Sequence, residues 1–284
     1  MAIFDGKRIR GIVGKVVFKD SKDKKNTVVQ QAPVKVKQSK ATKVSAKSFG
    51  QGSVLAGAIR RDMSIITQGF HDSKMSLRSD AVIRDCLAKC FDKKTKTYHF
   101  EQNSFESLTG FEFNIKSLVT NSLYVTPVVS LNGSQLTVSL PEIQVKEQLK
   151  FLKGSNLCEI SVVVCFFALE QAMTQHFVDQ SIEVGTSQAV LPAHDFVFEV
   201  PEGCLCVAGL GLNYFNKYND VKVVMTSKAF KPAIICGATI TPGEFVDPGI
   251  VKIGNRTITS PWTKVNKMHL PGNPVEEVID NSPE

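Results

Sequence analysis

The spacing of hydrophobic and polar residues changes several times along this chain, and each stretch predicts a different kind of element. Ile9–Phe18 and Thr27–Gln30 are rich in β-branched residues, with the charged, turn-rich stretch Lys19–Asn26 between them. The two runs read as a hairpin. Ala32–Lys47 shows no helical period and reads as an extended basic connector. In Val54–Ile66, Leu55, Ala58, Ile59, Met63 and Ile66 recur at spacings of three and four, which predicts an amphipathic helix ended at Gly69. A second helix is expected over Asp80–Phe91, with Ser79 as N-cap and the apolar pairs Val82/Ile83, Cys86/Leu87 and Cys90/Phe91 one turn apart. Helices this short are marginal in isolation, so both should pack on each other or on a sheet.

From about Phe111 the period becomes two. Ser122–Leu140 carries Asn132-Gly133 at its centre, a short hairpin signal because a type I′ turn needs positive φ at both residues. That turn pairs Leu131 with Ser134, Val129 with Leu136 and Val125 with Leu140, leaving one dry face and one wet face. Pro127 would fall opposite Val138, which predicts a bulge or an outer-edge strand. Pro141–Gly154 is polar and reads as a linker. Beyond it Glu159–Leu169 is apolar enough to be buried on both faces, and Ser187–Leu191, Asp195–Val200, Cys204–Phe215, Val221–Met225 and Ala233–Thr241 read as further strands. The stretch from Val246 is expected to be irregular, with a mobile acidic end from Asn273. The pattern predicts an α+β protein, mainly antiparallel β. Its parts are a basic hairpin and arm (1–50), a helical pair (51–95), a first β region (96–150), a second sandwich-like domain (151–245) and a tail (246–284).

Charge sharpens this division. Residues 1–50 hold 13 Lys/Arg against 3 Asp/Glu, and the other 234 residues hold 21 against 24, so a chain of net charge +7 is a basic arm on a nearly neutral body. The cations are Lys7, Arg8, Arg10, Lys15, Lys19, Lys22, Lys24, Lys25, Lys35, Lys37, Lys40, Lys43 and Lys47. Such arms contact phosphates or an acidic partner subunit. Lysine predominates and only Phe4, Phe18 and Phe49 are aromatic, which favours loose electrostatic docking over base stacking.

Chemistry is thinly spread elsewhere. Cys86 and Cys90 lie one helical turn apart, but no CxxC pair or second Cys/His pair completes a zinc site, and core packing is the plainer reading. Cys204-Leu-Cys206 lacks the two-residue spacing of a redox pair. His194-Asp195 has no activated nucleophile to accompany it, and adjacent strand residues point to opposite faces, so a surface loop is expected there. Gly209-Leu-Gly211 and Gly11-Ile-Val-Gly14 do not extend to a phosphate-binding loop, and close backbone approach in a sheet accounts for them. No catalytic residue, cofactor or metal is therefore expected. Seven cysteines, mostly among apolar neighbours, are expected to be reduced and buried. No secretory signal opens the chain and no run approaches the roughly 18 apolar residues of a bilayer span, so synthesis in a cytoplasm is expected.

The order of these features resembles a family of uncharacterised proteins common in Bacteroidota. The matching segments are Met1-Ala-Ile-Phe4, Gly11-Ile-Val-Gly-Lys-Val16, Thr27-Val-Val-Gln-Gln-Ala-Pro33, the two helical stretches, Glu159–Leu169 and the strands from Phe198 to Leu212. The chain departs from that pattern by extra lysines in its first loop and a longer tail after Ile240. The resemblance implies a sandwich architecture and transfers no catalytic residue. The sequence therefore predicts a non-enzymatic structural or interaction protein, a subunit of a virion-type or surface-appendage assembly that docks through its arm on protein subunits, a homo-oligomer among the options. The rival is a nucleic-acid-binding accessory protein contacting phosphates through the same lysines. A glycan- or ligand-binding sandwich is a third reading, for which Trp262 and four tyrosines are a sparse platform.

Overall fold

A computed structural model of the chain describes residues 2–21, 26–32, 39–249, 251–253, 256–258 and 260–272. It divides into two compact units, Met1–Ala46 and Lys47–Glu284.

The first unit is a four-stranded antiparallel meander: β1 (Ala2–Phe4), β2 (Ile9–Val13), β3 (Val16–Asp20) and β4 (Thr27–Gln31), paired in chain order. The hairpin expected here is two successive hairpins. Val13 pairs with Val16 across Gly14-Lys15, where Gly14 takes φ 55°, so the single run Ile9–Phe18 folds back on itself. β4 then pairs with β3 from Val16↔Gln31 to Asp20↔Thr27.

The expected connector gives way to helix. α1 runs Lys40–Asp62, beginning well before Val54. Ser39 Oγ accepts the Thr42 backbone N–H at 3.1 Å, an N-terminal cap that hydrophobic periodicity does not reveal. α2 (Ser64–Thr67) ends as expected, with Gln68 left-handed and Gly69 at φ 75°. α3 spans Met75–Cys90 and so starts earlier than Asp80. Asp72 accepts the Lys74 N–H at 2.8 Å just before it, and Ser79 lies inside the helix, bonded to Ser76 O, not at its cap.

The remaining elements of the second unit are β5 (Val128–Asn132), β6 (Gln135–Leu140), β7 (Ile143–Gln144), α4 (Val145–Gln148), β8 (Leu157–Ala168), β9 (Met173–Gly185), β10 (Val190–Leu191), β11 (His194–Glu199), β12 (Leu205–Tyr218), β13 (Val221–Val224), β14 (Ala233–Ile240), β15 (Val251–Ile253), β16 (Arg256–Ile258) and β17 (Trp262–Lys264). The main sheet runs β13-β12-β8-β9-β17, with β14 on the same side of β12 as β13. A smaller sheet runs β11-β6-β5, and both are antiparallel throughout. The chain is thus α+β and mainly antiparallel β.

The main sheet forms the middle of three layers, and strand periodicity shows how. Val163, Cys165 and Phe167 of β8 join one core with Leu55, Met63, Ile66, Ile83 and Leu87 of the helices. Val162, Val164 and Phe166, pointing the other way, join a second core with Leu136, Val138 and Phe196 of the smaller sheet. That two-sided burial is why β8 reads as a continuous apolar run. The helices approach closely where β12 has no side chains. A Cβ on Gly209 would fall 2.6 Å from Met63 Sδ, and one on Gly211 would fall 2.7 Å from Ile66 Cβ.

Several expectations are corrected. The β5–β6 turn is Gly133-Ser134, with Leu131 opposite Leu136 and Val129 opposite Val138; only Gly133 has positive φ, so the register slips by two while the dry face is kept. Pro127 falls outside β5, which is an outer edge. The stretch Pro141–Gly154 is no linker, since Ile143, Val145 and Leu149 are buried in the second core, and β6 pairs with β11 across the break expected near residue 150. β9 was not expected; it is half-exposed and mixed in polarity along its length. The stretch after Val246 includes ordered strands: Trp262 pairs opposite Gln175 and packs on Phe245 at 4.4 Å, and Val265, Met268 and Leu270 close the helix-side core. The acidic end from Asn273 lies outside the described residues.

Candidate functional site

The cations singled out from the sequence separate into three groups. Arg8 and Arg10 are engaged: Arg8 lies 3.6 Å from Asp20, and Arg10 lies 3.1 Å from Asp20 and 3.5 Å from Asp5. The backbone N–H groups of Arg8 and Lys7 hold the Asp5 carboxyl below the usual range. Lys7, Lys15 and Lys19 are exposed and have no ion pair among the described residues. Lys22, Lys24, Lys25, Lys35 and Lys37 lie outside the described residues. Lys40, Lys43 and Lys47 fall in α1, with side chains outside those described.

None of the described residues of β1–β4 is buried. Ile3, Phe4, Ile12, Val13 and Val29 are all more than half exposed. Phe18 and Val29 share a row two removed from that of Val13 and Val16, so they occupy one face; Ile12 and Val17 occupy the other. Apolar surface therefore lies uncovered on both faces.

The cysteines are all buried and unpaired. Burial pushes Cys86 up to about 11 and Cys158 up to about 12, so neither is a ready thiolate. His194 and Asp195 sit on β11, not in a surface loop, opposite Leu140 and Ser139, and both are exposed. No group of three or more metal-ligating side chains gathers among the described residues. No described helix is long and apolar enough to cross a membrane.

Sequence reasoning missed a polar cluster on the helix-facing side of the main sheet. Glu159 of β8 and Asn213 of β12 are direct cross-strand partners. Asn213 Nδ2 donates to Glu159 Oε1 at 2.9 Å, and Ser161 Oγ donates to the same oxygen at 3.2 Å. Lys231, just before β14, is completely buried, and its Nζ donates to Asn213 Oδ1. Burial pushes the Lys231 amine down to about 8, against the opposing pull of Glu159. The segment carrying it is pinned on both sides of Asn213: Met225 N–H donates to Tyr214 O at 2.8 Å and Leu212 N–H donates to Pro232 O at 3.0 Å. Phe230 packs on the Tyr214 ring at 5.3 Å. The available sequence signal was modest: single polar residues interrupting apolar runs, as in Leu157-Cys-Glu-Ile160, Leu212-Asn-Tyr214 and Phe230-Lys-Pro232.

A separate cleft of about 920 Å³ opens at the other end of β12 and β14. Glu101, Glu170 and Glu244 line it with Tyr98, Phe100 and Phe245, and among the described residues no lysine or arginine does. Tyr98 and Phe100 stack with ring centroids 5.7 Å apart. This is an acidic, partly aromatic surface suited to a cationic, partly apolar occupant.

No protein-family model, no curated protein and no solved structure matches this chain.

Proposed function

We propose that this chain is a non-enzymatic structural or interaction protein, a subunit of a virion-type or surface-appendage assembly, which docks on a neighbouring copy through its basic N-terminal unit. The observation that carries this reading is the four-stranded sheet with no buried residue. Ile3 is 71% exposed, Phe4 66% and Val29 59%. A small sheet gains stability only by covering an apolar face, so this one is built to be completed by something else. Charge favours the body of another copy as that surface. The first 50 residues are strongly basic while the rest of the chain is slightly acidic, and the cleft of Glu101, Glu170 and Glu244 has the complementary sign. A head-to-tail contact of this kind joins two different patches, as open assemblies require.

Light scattering on the full chain across a concentration series tests this reading. The parent chain is expected to form species larger than a monomer, weakened by Phe4→Ser with Val29→Ser and by Glu101→Lys with Glu170→Lys. A parent chain that stays monomeric throughout, with a protease-labile N-terminal unit, removes the proposal.

The exposed Lys7, Lys15 and Lys19, without an ion pair among the described residues, favour one rival, phosphate contact with nucleic acid. Each phosphate neutralised would steepen the salt dependence of binding by about 0.9 in log–log slope. Binding to DNA or RNA that Lys7→Glu, Lys15→Glu and Lys19→Glu abolish, with self-association unchanged, would favour the rival.

A further inference from the structure

A fully buried lysine is costly. An ammonium in a protein interior forfeits its hydration unless it is paired or gives up its charge. Lys231 forms no ion pair among the described residues; its Nζ meets the carboxamide of Asn213 instead. Asn213 is only 5% exposed, so water has little access to the pair. On the other side of the carboxamide, the nitrogen Nδ2 rests 2.9 Å from Glu159 Oε1. An amine, a carboxamide carbon and a carboxylate are thus placed in sequence, with the carboxylate against the nitrogen that would have to leave.

From this arrangement we propose that Lys231 and Asn213 become joined by an intramolecular isopeptide bond, with Glu159 transferring the proton. The bond would form whether or not the chain docks on a copy of itself. The neutral Lys231 amine attacks Asn213 Cγ, and the carbonyl electron pair moves onto Oδ1. The Glu159 carboxylate takes a proton from the newly bonded Lys231 nitrogen and delivers it to Nδ2. The carbonyl re-forms, the Cγ–Nδ2 bond breaks with its electron pair on nitrogen, and ammonia departs. Glu159 ends as it began, and no oxidant, reductant or further reactant is needed.

Three features favour the step. The backbone bonds at Leu212 and Tyr214 hold the Lys231 segment against β12 on both sides of Asn213, so the reacting groups meet without a search. Exclusion of water favours attack by the amine over hydrolysis of the carboxamide. Burial lowers the Lys231 amine to about 8, so a sizeable neutral fraction exists near neutral pH. The product links β12 covalently to the segment entering β14 and replaces a buried amine with a neutral amide.

Mass spectrometry of the purified full chain tests this. The intact mass is expected to fall short of the sequence mass by one ammonia, and digestion is expected to yield a branched peptide joining the segments around Asn213 and Lys231. Lys231→Met, which keeps the length and loses the amine, is expected to restore the full mass, as is Asn213→Leu. Glu159→Gln is expected to leave most of the chain unlinked while folded by circular dichroism. A folded parent chain with the full sequence mass, giving Asn213 and Lys231 in separate unmodified peptides, overturns the proposal even if no variant folds. A Glu159→Gln chain that loses ammonia as fast as the parent overturns the role given to Glu159.

Discussion

The two units of this protein use the same kinds of residue to opposite ends. In the second unit, β8 and the Leu205–Tyr214 stretch of β12 bury nearly every side chain, and Phe166 and Phe167 lie within 1% of complete burial. In the first unit, β1–β4 are at least as rich in Ile, Val and Phe and bury none of them. Strand-forming composition does not by itself make a core; a second layer must cover each face. The body has helices over one face and a second sheet over the other, whereas each face of the N-terminal sheet carries exposed apolar residues.

The sharpest way to break this comparison is to delete an aromatic ring in each unit. Phe166→Ala should cost about 3–5 kcal/mol in denaturant unfolding, as large-to-small changes in a packed core do. Phe4→Ala, at a ring 66% exposed, should shift the same measurement by no more than about 0.5 kcal/mol in the monomer. A large loss at Phe4 under dilute conditions would mean that the N-terminal sheet is already covered within one chain.

Glycines give the next contrast. Gly211 is required for space: its Cβ would meet Ile66 Cβ at 2.7 Å and Ile66 O at 3.1 Å, a backbone atom that cannot swing away. Gly211→Ala should cost about 1–3 kcal/mol by overpacking the helix–sheet contact. Gly14 is required for conformation: it sits at φ 55° with nothing within 4 Å of a Cβ. Gly14→Ala should cost about 1 kcal/mol, read as faster amide exchange in β2 and β3 with no change in unfolding of the body. Equal effects in both measurements would deny that the units are energetically separate.

These cases show what the sequence could and could not reveal. Burial on both faces was legible in Glu159–Leu169 because an unbroken apolar run of strand length has little else to be. The glycines of β12 were readable as sites of close approach, though not what approaches them. The start of α1 was hidden because its first turns offer no apolar stripe, and only the Ser39 cap marks it. β9 was hidden because only Thr174 and Val184 along it are buried and its pairing with β8 shifts register between Val164 and Phe166, which breaks the alternation. The Asn132-Gly133 signal located a turn correctly but misjudged its register, since Gly133 alone takes the positive φ. The Lys231 cluster was beyond local pattern altogether: residues 159, 213 and 231 meet only because β8 pairs with β12 and the segment before β14 folds back on it.

Titration offers a smaller test within the body. Burial pushes the Glu112 carboxyl up to about 7, although it accepts the Val119 N–H. Because its folded value lies above the ordinary value of 4.5, the folded protein holds the proton that the unfolded chain releases between about 4.5 and 7. The contribution of Glu112 is therefore fully present below that window and lost as pH rises through it. Glu112→Gln should flatten stability against pH over that range, measured by urea unfolding at several pH values. An unchanged slope would mean that the carboxyl titrates normally. In the first unit the contrast is Asp5, which is exposed and shifted the other way.

The smallest effect should come from the ion pairs of the N-terminal unit, and it bears most directly on what that unit is for. Arg10 bridges Asp5 and Asp20, yet its side chain is 56% exposed, so solvent screens the attraction and Arg10→Ala should cost only about 0–1 kcal/mol. Arg78 in the body makes the opposite case. It holds Asp72, 4% exposed at its side chain, and also donates to Glu112 O at 2.9 Å; Asp72 keeps the Lys74 and Ile115 N–H bonds, so Arg78→Ala should cost about 1–3 kcal/mol. If the N-terminal unit docks on a neighbouring copy, Arg10 becomes desolvated there, and Arg10→Ala should weaken self-association more than it weakens the monomer. The two effects separate in one variant by measuring unfolding at low concentration and light scattering at high concentration. Equal and negligible changes in both would leave Arg10 a solvated surface cation and confine the docking surface to the apolar rows of the sheet.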